Sequence, residues 1–279
     1  MTISVFTDST SQLSPAELDA ARIGVVPVII TIDDLEFRDG VELDADEFYD
    51  RIDQDVRLST SQPSPGEFVA AWGAARDGGA SEIVSVHVGG EISGTLNSAR
   101  IAAETMDIPV HLIDSKSTSY GLGILALGIA DRIALTGSTD GLSEFAQLLV
   151  GETTTVFIVQ DTRYIMKGGR MRPTNLPAGD TDIPVLGGTG GECELLGTGK
   201  SVDELVEQMA ATLLAGDHQR HVAIAFAAPD TFVFTEGLEE RMEASPLVTS
   251  VRRYRMGPAI AVHTGPGTAG GFTWPVDLE

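Results

Sequence analysis

Short hydroxyl-rich turns are the segments of this chain best suited to holding an anion. Four occur, at Asp8-Ser9-Thr10, Thr60-Ser61, Ser93-Gly94-Thr95 and Asp114-Ser115. Each lies between a strand-like run and a helix start, and in a doubly wound sheet such loops collect at the carboxyl ends of the strands, where ligands bind. Ser93 is the sharpest case. The spacing predicts a helix opening near it, so free backbone N–H groups and the positive end of the helix dipole face outward there. Gly94 lets a backbone come close, and Thr95 adds a second hydroxyl. Taken alone, Ser93 also reads as an ordinary helix cap, and Thr60 and Ser61 as turn hydroxyls satisfying local backbone. His263, placed before Thr264-Gly265-Pro266-Gly267, can donate to an anion or serve as a structural histidine. Arg170 follows Gly168-Gly169 and can reach a carboxylate or phosphate in bidentate fashion, or remain a surface cation.

Other signatures fail on inspection. Leu196-Gly197-Thr198-Gly199-Lys200-Ser201 resembles the end of a P-loop, but Glu194 stands where its first glycine belongs. The Gly-rich stretch from Gly265 to Gly270 follows the expected last core strand with too little chain to form a phosphate-binding helix. His87, His111, His218, His221 and His263 lack metal-ligand spacing. Ser93 lacks a nucleophile-elbow frame, since Glu91 stands two residues before it. No Ser-His-Asp arrangement is legible, and neither a metal nor a cofactor is expected.

These loops need a scaffold, and the hydrophobic pattern supplies an α/β one. Strand patterns at Ile3 to Thr7, Val25 to Ile32, Glu82 to Val88 and Val110 to Ile113 alternate with helical ones, which predicts βαβ units and a parallel sheet. Ser14-Pro15-Ala16-Glu17 and Ser64-Pro65-Gly66-Glu67 are capping boxes with Pro at the first helical position. Ser117 to Leu135 and Leu142 to Val150 read as helices, and Ala45 to Ile52 as a shorter one. After Gly151 the character changes. Strands are predicted at Val156 to Val159, Val222 to Ala227, Val248 to Arg255 and Ala259 to His263, and helices at Thr162 to Lys167, Val202 to Leu214 and Thr235 to Ala244. Residues 171–199 offer only short apolar pieces, with Pro173 and Pro177 interrupting any helix. The expectation is two domains: residues 1–155, a Rossmann-like parallel sheet flanked by helices, and residues 156–279, a two-layer α/β domain with a mixed sheet.

Composition narrows the function. The formal net charge of −23, from 41 acidic and 18 basic residues, repels nucleic acid and anionic lipid surfaces. An anion site must therefore be a local feature that overrides the global sign. No apolar run reaches the ~18 residues of a spanning helix, so no stable membrane insertion is expected. The single cysteine, Cys193, rules out an internal disulfide and suits a reducing cytoplasm.

Across nearly its whole length the chain resembles the DegV family, fatty-acid-binding subunits that serve a separate fatty acid kinase. The resemblance rests on Phe6-Thr7-Asp8-Ser9-Thr10, Arg38-Asp39-Gly40, Ser59-Thr60-Ser61-Gln62-Pro63-Ser64-Pro65 and Ile92-Ser93-Gly94-Thr95 with Ser98-Ala99. It continues through Ile113-Asp114-Ser115-Lys116, Lys167-Gly168-Gly169-Arg170 and His263-Thr264-Gly265-Pro266-Gly267, all in family order. It implies a long-chain fatty acid bound between two α/β domains, with the carboxylate on Thr60, Ser61, Ser93 and His263 and the tail in an apolar tunnel of the second domain. Arg170, with Gly94 and Thr95, is expected near the ligand mouth or the partner surface. The partner would be a kinase catalytic subunit that converts the bound carboxylate to an acyl phosphate for phospholipid synthesis, so the chain itself would not be an enzyme. Gly89 and Gly90 replace serines usual in the family, and Gly199 or Lys200 an arginine often found before the following helix. The alternatives are a stand-alone phosphotransferase or hydrolase using Asp8, Asp114 or Ser93, and a lipid-sensing regulatory protein.

Overall fold

A computed structural model describes residues 2–52, 56–170 and 182–278. The chain forms two compact units, one of Met1–Asp44 and Ile52–Val150, the other of Ala45–Arg51 and Gly151–Glu279.

The first unit runs β1 (Ile3–Asp8), α1 (Pro15–Ala21), β2 (Ile23–Val26), β3 (Ile29–Ile32) and β4 (Leu35–Arg38). After α2 (Ala45–Arg51), which belongs to the second unit, come β5 (Leu58–Ser61), α3 (Pro65–Asp77) and β6 (Glu82–His87). Then follow α4 (Thr95–Ala103), β7 (Val110–Asp114), α5 (Tyr120–Thr136) and α6 (Leu142–Glu152), within which the unit ends. The main sheet is parallel, in the order β2-β1-β6-β7. Helices α3 and α4 pack together against β2 and β7, while α1 and α5 pack against β1, β2 and β6. This is the Rossmann-like sheet expected from the alternating pattern. A small antiparallel sheet, β4-β3-β5, is inserted before α3.

Both predicted capping boxes form. Ser14 and Glu17 exchange side-chain and backbone hydrogen bonds at the start of α1. At α3 the Ser64 N–H and hydroxyl donate to Glu67 Oε2 while the Glu67 N–H donates to the Ser64 carbonyl, and Pro15 and Pro65 occupy the first turns. The core between the sheet and α3 and α4 is built from Phe6, Val26, Phe68, Trp72, Ile83, Ala99 and Ala102. Ser93 is not the cap of its helix: α4 starts at Thr95, with Gly94 in the capping position.

The second unit holds β8 (Thr154–Val159), α7 (Thr162–Gly168), β9 (Ile183–Thr189), β10 (Glu194–Gly199), α8 (Val202–Leu213) and β11 (Arg220–Phe226). It ends with α9 (Phe232–Glu243), β12 (Val248–Arg255), α10 (Pro258–Thr264) and β13 (Thr268–Pro275). Six strands form one mixed sheet, β10-β9-β8-β13-β11-β12, antiparallel throughout except for the β11–β12 pair. Helices α8 and α9 cover one face, and Leu205, Met209, Leu213, Phe234 and Leu238 fill the core with Val156, Ile158, Val222 and Ile224. Alternate residues must face the other way. There Phe157, Val159 and Leu186 make a second apolar cluster with Ile165 of α7.

Two sequence expectations are corrected here. Ala259 to His263 is not a strand but part of α10, which begins with Pro258 in its first turn. Residues 258–262 are all buried, so the run shows neither a strand's alternation nor a helical stripe, and a short apolar run is then ambiguous. The last core strand is instead β13, which begins within the Gly-rich stretch, and it is central in the sheet. Glycine is needed there. A Cβ on Gly270 would lie 2.2 Å from the Val156 carbonyl oxygen and 2.5 Å from Phe157, so its absence lets β8 pair closely. Residues 171–199 were expected to hold only short apolar pieces, yet β9 and β10 form a hairpin there. Pro173 and Pro177 lie outside the described residues. The P-loop-like segment is a strand end and helix cap whose backbone N–H groups at Lys200 and Ser201 donate to Glu204.

Candidate functional site

In the first unit the chain leaves β1 toward β2 on one side, and later passes from β6 to β7 on the other. The carboxyl ends of β1 and β6 therefore flank the switch point of the sheet, the place where open α/β sheets bind ligands. The hydroxyl-rich loops converge on it.

Thr60 and Ser61 end β5, paired with Ile30 and Ile29 of β3. Ser93 lies in the turn after β6. Its backbone N–H donates to the Gly89 carbonyl at 3.0 Å. Its hydroxyl accepts from the Thr95 N–H at 3.3 Å and lies 2.9 Å from the Thr95 hydroxyl. Thr95 is buried and Ser93 partly so. The two loops touch: an ideal Cβ on Gly94 would fall 2.8–2.9 Å from the amide of Gln62, the residue after Ser61. Thr60, Ser61, Ser93, Gly94 and Thr95 thus belong to one neighbourhood. A hydroxyl carries one donor and two acceptors. Either hydroxyl can be the donor in the Ser93–Thr95 contact; where Thr95 donates, the Ser93 proton is left for another acceptor.

His263 and Arg170 belong to the second unit. His263 sits in the last turn of α10, which packs on α7, and Arg170 follows the αL residue Gly169 that ends α7. Burial first, and then the nearby Arg170 charge, push the His263 pKa down to about 4. At neutral pH the ring is therefore neutral, with a single N–H to donate. Arg170 brings a positive charge close to His263 and is exposed.

An arrangement that sequence reasoning missed lies at the switch point itself. Asp8 ends β1, and its carboxyl oxygens accept three hydrogen bonds and lie within reach of a fourth group, the His87 ring. Oδ1 takes the Thr10 N–H at 3.1 Å and the Thr10 hydroxyl at 2.5 Å. Oδ2 takes the Val88 N–H at 3.0 Å and lies 3.0 Å from His87 Nδ1. His87 Nε2 in turn lies 2.7 Å from the Ser85 hydroxyl. With Nδ1 donating to the carboxylate, Nε2 accepts from Ser85, so Ser85, His87 and Asp8 have the connectivity of a catalytic triad. Its position forbids that use. All three are fully buried, so no substrate carbonyl reaches Ser85 Oγ. A signal was present in the sequence: Ser85 and His87 are polar residues two apart in an apolar strand, hence on one face, opposite the end of β1. Asp114 is likewise occupied, its Oδ1 accepting the N–H groups of Gly90 at 3.2 Å and Lys116 at 2.9 Å.

Among the described residues no group of three or more His, Cys, Asp or Glu could hold a metal ion, and no helix is long and apolar enough to cross a membrane. Burial and Glu194 push the Cys193 thiol up to about 11, which keeps it protonated at neutral pH.

Fold and loops together define a two-unit α/β protein whose neutral hydroxyl donors gather at the switch point of a parallel sheet. The chain belongs to the DegV family, whose model, described as an uncharacterised protein family, matches residues 2–275. A DegV domain-containing protein from Staphylococcus aureus is 30% identical over 272 residues, covering 95% of this chain and 96% of that one. Another, from Deinococcus radiodurans, is 30% identical over 279 residues, with 97% of each chain covered. Among solved structures, a DegV family protein from Thermus thermophilus described for its fatty acid binding superposes with a TM-score of 0.91 at 25% identity. That match covers 99% of this chain and all of that one.

Proposed function

We propose that this protein binds a long-chain fatty acid, with the carboxylate held by Thr60, Ser61, Ser93 and His263. The observation that carries the reading is the joining of the Thr60-Ser61-Gln62 strand end to the Ser93-Gly94-Thr95 turn across Gly94. It sets several neutral donors at the switch point of a chain with net charge −23. Neutral donors suit a carboxylate that must be held without a strong ion pair. Fatty-acid binding by the Thermus relative supports the choice of ligand.

The tail needs apolar surface. The sheet face opposite α8 and α9, with Phe157, Val159 and Leu186, is the proposed lining. Each methylene removed from water is worth roughly 0.8 kcal/mol, so a ~16-carbon tail offers on the order of 10 kcal/mol before ordering costs. Each head-group hydrogen bond adds only about 1 kcal/mol. The tail thus supplies affinity and the head supplies orientation.

In this reading the protein is a cytoplasmic carrier that performs no chemistry on its ligand. It presents the carboxylate to a separate kinase, with Arg170, Gly94 and Thr95 at the ligand mouth or partner surface. Support for the partner is the Lys167-Gly168-Gly169-Arg170 motif, whose arginine is exposed at the end of α7. Against the phosphotransferase or hydrolase alternative, which would use Asp8, Asp114 or Ser93, stand the full burial of Asp8 and the two backbone N–H groups already on Asp114 Oδ1.

Native mass spectrometry of freshly purified protein, followed by denaturation and identification of the released molecule, tests the ligand class. One fatty acid per chain is expected. A protein that carries none, and takes up none when offered palmitate, is not a fatty-acid carrier.

A further inference from the structure

We infer that Asp8 is the positioning residue of the head-group loops, holding both Ser93 and Thr60 in register without touching the ligand. This rests on the fatty-acid reading above and deepens it. Two hydrogen-bonded paths leave the end of β1. The first runs from Asp8 Oδ2 to the Val88 N–H, and so to Gly89, whose carbonyl accepts the N–H groups of Ile92 at 2.8 Å and Ser93 at 3.0 Å. The second runs through the neighbouring residue. Ser9 Oγ accepts the Val28 N–H at 3.1 Å, just before β3, whose Ile30 and Ile29 pair with Thr60 and Ser61. The Thr10 bonds to Oδ1 clamp the turn that carries Ser9. One buried carboxylate at the switch point therefore sets both loops.

An amide cannot replace it. Asparagine at position 8 must turn its NH₂ group toward either the Thr10 N–H or the Val88 N–H. Both are fixed backbone donors, so donor faces donor in either rotamer. His87 can switch tautomer to adapt, but a peptide N–H cannot.

The test compares two probes of equal tail length, hexadecanoic acid and 1-hexadecanol, by competition against a fluorescent fatty acid on the intact chain. Wild type should favour the acid. In Asp8→Asn, acid affinity should fall at least tenfold while alcohol affinity stays within twofold, because the loop hydroxyls lose their alignment and the tail surface does not. Thr10→Val removes one of the donors and keeps the Thr10 N–H, so it should shift the same ratio about threefold. It decides the matter if near-UV circular dichroism finds Asp8→Asn unfolded. Equal weakening of both probes, or an unchanged acid affinity, would reduce Asp8 to general fold support and leave the carrier reading standing. A wild-type protein that does not distinguish acid from alcohol overturns the head-group assignment, and the role of Asp8 with it.

Discussion

Two polar regions of the first unit are built from similar residues, and their surroundings give them different uses. Around Asp8, a carboxylate, an imidazole and a hydroxyl sit in line with every distance suited to proton transfer, yet all three are fully buried. Around Ser93, two hydroxyls and an exposed amide form a looser patch, and this is the patch that residue type and motif single out in the sequence. The first region resembles a catalytic triad and serves to hold backbone. The second resembles a helix cap and is suited to hold a ligand. Residue type and connectivity do not separate them. What separates them is burial: the three groups around Asp8 are fully buried, whereas Ser93 is only partly so.

The contrast predicts opposite outcomes from truncation. Asp8→Ala should cost about 3–5 kcal/mol in urea unfolding, because three donors and the His87 ring lose a buried partner at once. An unfolding midpoint within error of wild type would mean that the buried array is dispensable and the contrast false.

His263 provides the next largest effect, through pH. Its folded pKa, about 4, lies below the ordinary 6.5, so between those values the unfolded chain binds the proton more readily. Stability is complete above pH 6.5 and declines as pH falls toward 4, by up to about 3 kcal/mol from this group. His263→Gln should flatten that part of the stability–pH curve, whatever the carboxylates contribute below it. If the variant keeps the wild-type slope, the ring is not held neutral by burial and Arg170.

Ser93→Ala should leave stability within about 0.5 kcal/mol while weakening fatty-acid retention roughly fivefold, the value of one lost hydrogen bond. Loss of stability without loss of retention would reclassify Ser93 as a structural group like Ser85.

Much of this scaffold was legible in the sequence. The Ser14–Glu17 and Ser64–Glu67 boxes marked two helix starts to the residue, and the strand–helix alternation up to Val150 specified a parallel sheet. What was hidden depends on contacts distant in sequence. Gly270 reads as loop until Phe157 is seen lying over it, and Ala259 to His263 reads as strand because complete burial erases a helical stripe. The proposed site was half legible. Ser93 and Thr60 stood out by residue type and family motif, whereas the contact between Gly94 and Gln62 needed the fold. The link from Asp8 to His87 joins residues 79 apart, and only strand order makes them neighbours.

Gly94→Ala gives the smallest expected change in stability and tests how loose the Ser93 region is. Gly94 has φ −73° and ψ 0°, the right-handed helical region, which alanine adopts without strain. The new Cβ must displace the Gln62 amide, but that amide is the end of an exposed, flexible side chain that can swing aside. Stability should therefore fall by about 0.5 kcal/mol or less. Retention should fall about twofold, since Gln62 no longer rests between the two loops. Ser85→Ala, a change of similar size in the sealed region, has no such escape: it leaves His87 Nε2 buried without its partner and should cost about 1–3 kcal/mol. If the two substitutions prove equally damaging, the loops around Ser93 are as rigidly committed as the Asp8 array, and a ligand would have to enter a site already closed by its own hydrogen bonds.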